Sequence, residues 1–112
     1  VNYKRGETGD GEWVLSVLRE CIRKSGVREV HSHVEIFDGE DSPPGFAAVV
    51  LIDESHVTAH CYSERGILAV DVFTCGDSDP SEVAAMINDA LVSEIPGLRR
   101  VFEKRVERFR SD

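Results

Sequence analysis

The stretch from Phe46 to Thr74 constrains the fold more than any other part of the chain. FAAVVLID (46–53) is a nearly continuous apolar run with β-branched residues, HVTAHCY (56–62) follows almost at once, and the turn-like SERG (63–66) leads into ILAVDVFT (67–74). Runs of this length and composition read as strands, and joints this short suit strands that return antiparallel. Ahead of them, REVHSHVEIF (28–37) alternates Val30, Val34 and Ile36 with His31, His33, Glu35 and Phe37, the period of a strand with one face in the core. The intervening DGEDSPPG (38–45) has the composition of a loop.

Two helices flank these strands. Val14, Val17, Leu18, Cys21 and Ile22 recur at helical spacing between Glu12 and Ser25, and Gly26 is a natural stop. A second start signal has Asp79 as N-cap, Pro80 at the first helical position and Glu82 in the first turn. Val83, Met86, Ile87, Ala90 and Leu91 then form an apolar stripe to about Ile95, on which Met86 reads as core and not as a ligand. A last strand is expected over 98–109, and VNYKRGETGDG (1–11) reads as a terminal or connecting segment. The order predicts one α+β domain over residues 1–112: a two-layer α/β sandwich, a mostly antiparallel sheet with two helices on one face. The other face must be covered or meet solvent.

Composition narrows the partners. With 112 residues and 41% hydrophobic content the chain suits a single core. A net charge of −8 argues against nucleic acid, whose phosphates would be repelled. The one basic cluster, GLRRVFEKRVERFR, is interleaved with Glu103 and Glu107 and reads as a solvated face. No apolar stretch approaches the roughly 18 residues of a membrane span and nothing resembles a signal peptide, so no membrane partner and a cytoplasmic location are expected. Cys21, Cys61 and Cys75 are odd in number and lack a C-x-x-C pair, which points to reduced thiols.

The polar residues permit three chemistries. His31 with His33 and His56 with His60 share strand faces, an arrangement open to a metal, yet no further Cys or carboxylate stands at ligand spacing, so no metal is expected. Ser55, His60 and Asp71 could be asked to form a hydrolase triad, but no G-x-S-x-G elbow surrounds Ser55. The third gathers more residues: LIDESHVTAH, followed fifteen residues after His60 by the cysteine of AVDVFTCGD.

That combination, E-S-H-x-T-x-H with D-x-F-T-C-G, resembles the S-adenosylmethionine decarboxylase family in its short prokaryotic branch. The resemblance runs from about Gly45 to Asp77, with weaker matches on either side. It implies a proenzyme that cuts its own backbone between Glu54 and Ser55. The Ser55 hydroxyl attacks the preceding carbonyl, the ester eliminates to dehydroalanine, and hydrolysis leaves a pyruvoyl cofactor derived from Ser55. This group forms a Schiff base with the substrate amine and accepts the electrons released as carbon dioxide departs.

Residue roles follow from the same resemblance. His60 is similar to the family histidine that moves a proton during processing. Cys75 is similar to the cysteine that returns a proton to the substrate α-carbon. Glu64 matches an acidic residue that holds the ribose. Phe37 matches an aromatic that stacks on adenine, given an insertion in DGEDSPPG, and Tyr62 stands where the family has Trp. The substrate implied is S-adenosylmethionine, the product serves polyamine (spermidine) synthesis, and two chains are expected to pair as a homodimer with sites built from both.

Two departures bear on this reading. Family members usually open with a strand of the type G-x-H-L before the first helix; it is not found here, so that strand is expected to be missing. Eight residues before Ser55, where the family commonly has Ser in G-x-S-G, this chain reads GFAA with Ala47. Maturation is therefore expected to be slow, stalled at the ester, or absent. Alternatives are a pyruvoyl-dependent decarboxylase of another amino acid, such as ornithine or arginine, or a non-processing homologue that binds a ligand or partner. Strained backbone geometry is also expected at Glu54–Ser55, and unremarkable geometry there would count against self-cleavage.

Overall fold

The computed structural model describes residues 2–4, 11–74 and 79–106. Its elements are β1 (Asn2–Lys4), α1 (Gly11–Ser25), β2 (Glu29–Phe37), β3 (Gly45–Ile52), β4 (Ser55–Tyr62), β5 (Ile67–Phe73), α2 (Pro80–Glu94) and β6 (Arg99–Phe102). The strands form one six-stranded sheet in the order β2-β3-β4-β5-β1-β6, every pair antiparallel. Both helices pack on one face, so the fold is the expected α+β two-layer arrangement.

Alternation in the central strands decides which residues enter the core. Phe46, Ala48, Val50 and Ile52 of β3, and Val57, Ala59 and Cys61 of β4, are buried towards the helices. Leu18 and Ile22 of α1 and Ile87 and Leu91 of α2 close over them, each almost fully buried. Removing this apolar surface from water is what holds the layers together. Gly11 starts α1 where any Cβ would crowd Val34, Ile36 and Phe46, so the missing side chain lets the helix sit directly on the sheet. The start of α2 follows its signals: the Asp79 carboxylate accepts a hydrogen bond from the Ser81 N–H at 2.9 Å, with Pro80 first in the helix.

Three features differ from the sequence reading. A short strand does precede α1: Asn2–Lys4 pairs with both β5 and β6, although the polar composition of residues 1–11 suggests a connecting segment. Ladder hydrogen bonds on both sides hold it, and these need no apolar pattern. Val30 and Ile36 are 54% and 58% exposed, where the alternation places them in the core. β2 is an edge strand, and a register shift between Glu29 and His31 takes Val30 out of the buried row. The last strand ends at Phe102 and all its residues are exposed; residues 103–106 continue without regular structure, and the rest of the expected strand lies outside the described residues. No described helix is long and apolar enough to cross a membrane.

Candidate active site

β3 and β4 are joined by two residues, Asp53 and Glu54, and the ladder resumes with Ser55 opposite Ile52. A two-residue hairpin loop demands a positive φ, which glycine or asparagine supplies without strain. Here Glu54 takes it: its φ is 61°, the one positive value at a non-glycine residue among the described residues. A side chain held in this region costs about 1 kcal/mol or more. The strain expected at the Glu54–Ser55 junction is therefore present, and it falls on the residue whose carbonyl precedes Ser55.

Asp53, the other loop residue, is pinned. Its N–H donates to the Arg28 carbonyl at 3.2 Å. The Arg28 guanidinium donates back through Nε to Oδ2 at 3.0 Å and through Nη2 to Oδ1 at 3.1 Å, a two-pronged ion pair. These hydrogen bonds hold the Asp53 carboxyl below its ordinary pKa. Nothing in the sequence singles out Arg28; only the pairing of β2 with β3 carries it to the loop.

The remaining candidates divide between the ends and faces of β4. Ser55 is half-buried and paired with buried Ile52, which places it in the helix-side row. His56, Thr58, His60 and Tyr62 occupy the opposite row, on the face the helices leave open. His60, exposed there, lies five residues from Ser55, on the order of 16 Å along the strand at about 3.3 Å per residue. On the same face Ala47 pairs with His60 on one side and with Glu35 on the other. Phe37, Gly45 and Tyr62 form one cross-strand row, and Glu64 follows in the 3-10 turn Ser63–Arg65. Gly45 between the two aromatics keeps the row open.

The structure thus gathers Phe37, Tyr62 and Glu64 at one end of β4 and leaves Ser55 at the other. The predicted site is split in two halves within one chain. Next to Ser55, His56 pairs with Phe73 of β5 and their rings meet at 5.3 Å between centroids. Cys75 lies outside the described residues. Among the described residues no three His, Cys, Asp or Glu side chains come together as metal ligands. Asp71 pairs with Thr58, off the Ser55 row, so Ser55, His60 and Asp71 do not converge into a triad.

Comparison with known proteins agrees with the motif. A family model described as S-adenosylmethionine decarboxylase matches residues 3–102. An S-adenosylmethionine decarboxylase proenzyme of Bacillus velezensis is 47% identical over 84 residues, 73% of this chain and 62% of that protein. This chain thus spans less than two thirds of that relative's length. The proenzyme of a Geobacillus species (strain WCH70) is 35% identical over 107 residues, 88% of this chain and 82% of that protein. The crystal structure of the adenosylmethionine decarboxylase from Aquifex aeolicus superposes with a TM-score of 0.62 at 24% identity, covering 99% of this chain and 93% of that one, a likeness of fold. On the match across residues 3–102 and on these relatives, the chain belongs to the S-adenosylmethionine decarboxylase family.

Proposed function

We propose that this protein is a self-processing, pyruvoyl-dependent decarboxylase of S-adenosylmethionine that supplies the aminopropyl donor of polyamine synthesis. The observation that carries the reading is Glu54, left-handed in a two-residue loop, directly before the serine of the family motif. Attack of Ser55 Oγ on the Glu54 carbonyl carbon breaks the amide C–N bond, forms an ester and frees an amine. The left-handed backbone at Glu54 raises the ground state beside the bond that breaks, and relief of it in the shift lowers the barrier. Removal of the Ser55 Cα proton then expels the Glu54 carboxylate and leaves dehydroalanine. Its tautomer is hydrolysed with loss of ammonia, and the fragment from residue 55 begins with a pyruvoyl group.

That group supplies an electrophilic ketone and an electron sink for loss of carbon dioxide. The residues present fit it: Ser55 is half-buried and opens β4 directly after the chain reversal, paired with buried Ile52. In the same reading Phe37 and Tyr62 hold adenine between aromatic faces, Glu64 holds the ribose hydroxyls, and His60 moves the proton in processing. Cys75 returns a proton to the substrate α-carbon. The buried cysteines Cys21 and Cys61 suit a reducing, cytoplasmic setting.

The same proposal includes a homodimer. His60 cannot serve Ser55 of its own chain across on the order of 16 Å of strand. A second copy can bring its own His60 to the hairpin that carries Ser55, and the open face, where Leu51 and Tyr62 are 42% and 44% exposed, gives it apolar surface to pack against. Ala47 favours one second reading, a chain that stops at the ester, because a methyl stands beside His60 where the family has a hydroxyl.

Intact mass under denaturing conditions, with and without hydroxylamine, tests the proposal. Fragments 1–54 and 55–112, the second beginning with pyruvoyl, support a mature enzyme, and carbon dioxide release from S-adenosylmethionine but not from ornithine or arginine supports the substrate. A whole chain that hydroxylamine splits supports the stalled ester. A whole chain that resists it refutes self-processing.

A further inference from the structure

β2 is the outermost strand at one end of the sheet, so among the described residues one side of its backbone has no neighbouring strand. The N–H and C=O groups along such an edge pair readily with another chain, and natural proteins blunt it with short strands, Lys, Pro or a bulge. β2 is nine residues long and its sequence, EVHSHVEIF, holds neither Lys nor Pro. Its bulge sits at the very start, between Glu29 and His31, and from His31 to Phe37 the pairing with β3 is regular. Val30 and Ile36, at 54% and 58% exposure, leave apolar surface on this edge.

A second copy of the same chain fits it. When β2 pairs antiparallel with itself about a twofold axis at His33, Val30 falls opposite Ile36 of the second copy and His31 opposite its Glu35, and the symmetry repeats both pairs beyond the axis. One register thus matches apolar with apolar and imidazole with carboxylate, the kinds of cross-strand pair that stabilise a sheet. Neighbouring registers do worse. Moving the axis to Ser32 opposes Glu29 and Glu35, which are like charges, and moving it to Val34 carries Val30 off Ile36 to Asp38.

We propose that β2 is a homotypic interface: two copies join edge to edge and antiparallel with His33 on the axis, and their sheets run on as one with the helices of both on the same side. The open face stays free in this arrangement, so dimers formed there join in pairs through β2. The inference goes beyond the decarboxylase reading and does not depend on it. An edge contact of this length is small against the roughly 1,200–2,000 Å² of stable interfaces, so the association is expected to depend on protein concentration.

Two experiments on the full chain test it. In the first, His33→Cys is oxidised mildly without denaturant. Opposed residues of an antiparallel pair stand about 4.5–5.5 Å apart at Cβ, close to disulfide reach, so a covalent dimer is expected. The parent chain, and Ile36→Cys, whose two copies this register holds on the order of 20 Å apart, are expected to give none. In the second, sedimentation velocity follows assembly with concentration. His31→Glu and Glu35→Lys are each expected to weaken association about tenfold, and the two changes together to restore it by exchanging the charges of the pair. Urea midpoints establish that the variants are folded.

A His33→Cys chain that associates yet forms no disulfide would overturn the edge contact, and a disulfide from Ile36→Cys in its place would overturn the register. Folded single variants that assemble like the parent, or a parent that stays monomeric at every concentration, would overturn the proposal as well. Backbone cleavage is read separately by mass, so self-processing and the β2 interface stand or fall apart.

Discussion

Ala47 and His60 are direct partners across β3 and β4 on the face of the sheet that the helices leave open. Opposed residues on neighbouring strands stand about 5 Å apart at Cβ, within reach of a hydrogen bond between a hydroxyl and an imidazole. Thr58, two residues along the same row of β4, faces Val49 and Asp71 instead. Ala47→Ser places an Oγ opposite His60, and the expected result is maturation about a hundredfold faster, the low end of what a positioned proton-transfer group contributes. Intact mass against time reads it out; the same time course for both chains would show that the methyl is not what limits processing.

Gly45 occupies the point where β3 begins, between Phe37 and Tyr62, with φ 156°. A Cβ built there would overlap the carbonyl oxygen of Cys61 on the neighbouring strand. Backbone cannot yield as a flexible side chain can, so Gly45→Ala must part the β3–β4 ladder. A loss of about 2 kcal/mol or more is expected in urea unfolding, together with weaker nucleoside binding. A midpoint like that of the parent chain would mean that the strands separate without cost.

Much of the fold was legible because the central strands and both helices advertise themselves locally. Asp79 and Pro80 mark the start of α2, Gly26 follows α1 with φ 81°, and the runs read as strands over 46–53 and 56–62 form β3 and β4, although burial alternates within the continuous apolar run of β3. What could not be read depends on distant partners. Val30 and Ile36 look like core residues until β2 is seen to be an edge, and Asn2–Lys4 becomes a strand only because β5 and β6 lie on either side of it. The motif carried Ser55 and His60 together as a pair in sequence, although the alternation that puts His56 and His60 on one strand face puts Ser55 on the other. Arg28 gave no signal, since its partner lies 25 residues away.

The Arg28–Asp53 pair sets an acid limit on the hairpin. Hydrogen bonding to Arg28 lowers the Asp53 pKa in the folded chain from its ordinary 3.8, so the unfolded chain takes up this proton first as pH falls. The contribution is complete above 3.8 and is lost as pH drops through the lower folded value. Urea midpoints of the parent chain and Asp53→Asn are therefore expected to differ at neutral pH and to converge in acid. Curves that stay parallel down the whole range would remove Asp53 from the acid response.

If two chains share each site, function must be recoverable from two different defects. A Ser55→Ala chain cannot be cut, and a His60→Ala chain lacks the proton-transfer group, so each alone is expected to stay whole. In a mixed dimer the intact Ser55 of the second chain is served by the intact His60 of the first. Co-refolding the pair is expected to cut the His60→Ala chain and never the Ser55→Ala chain, and the two differ enough in mass to be told apart. Because on the order of 16 Å of extended strand separates the two residues within a chain, no rearrangement short of breaking the β4 ladder would produce that pattern in a monomer. Persistence of both whole chains in a mixture shown to contain dimers would mean that His60 acts elsewhere, and cleavage of His60→Ala alone would mean that processing does not use it.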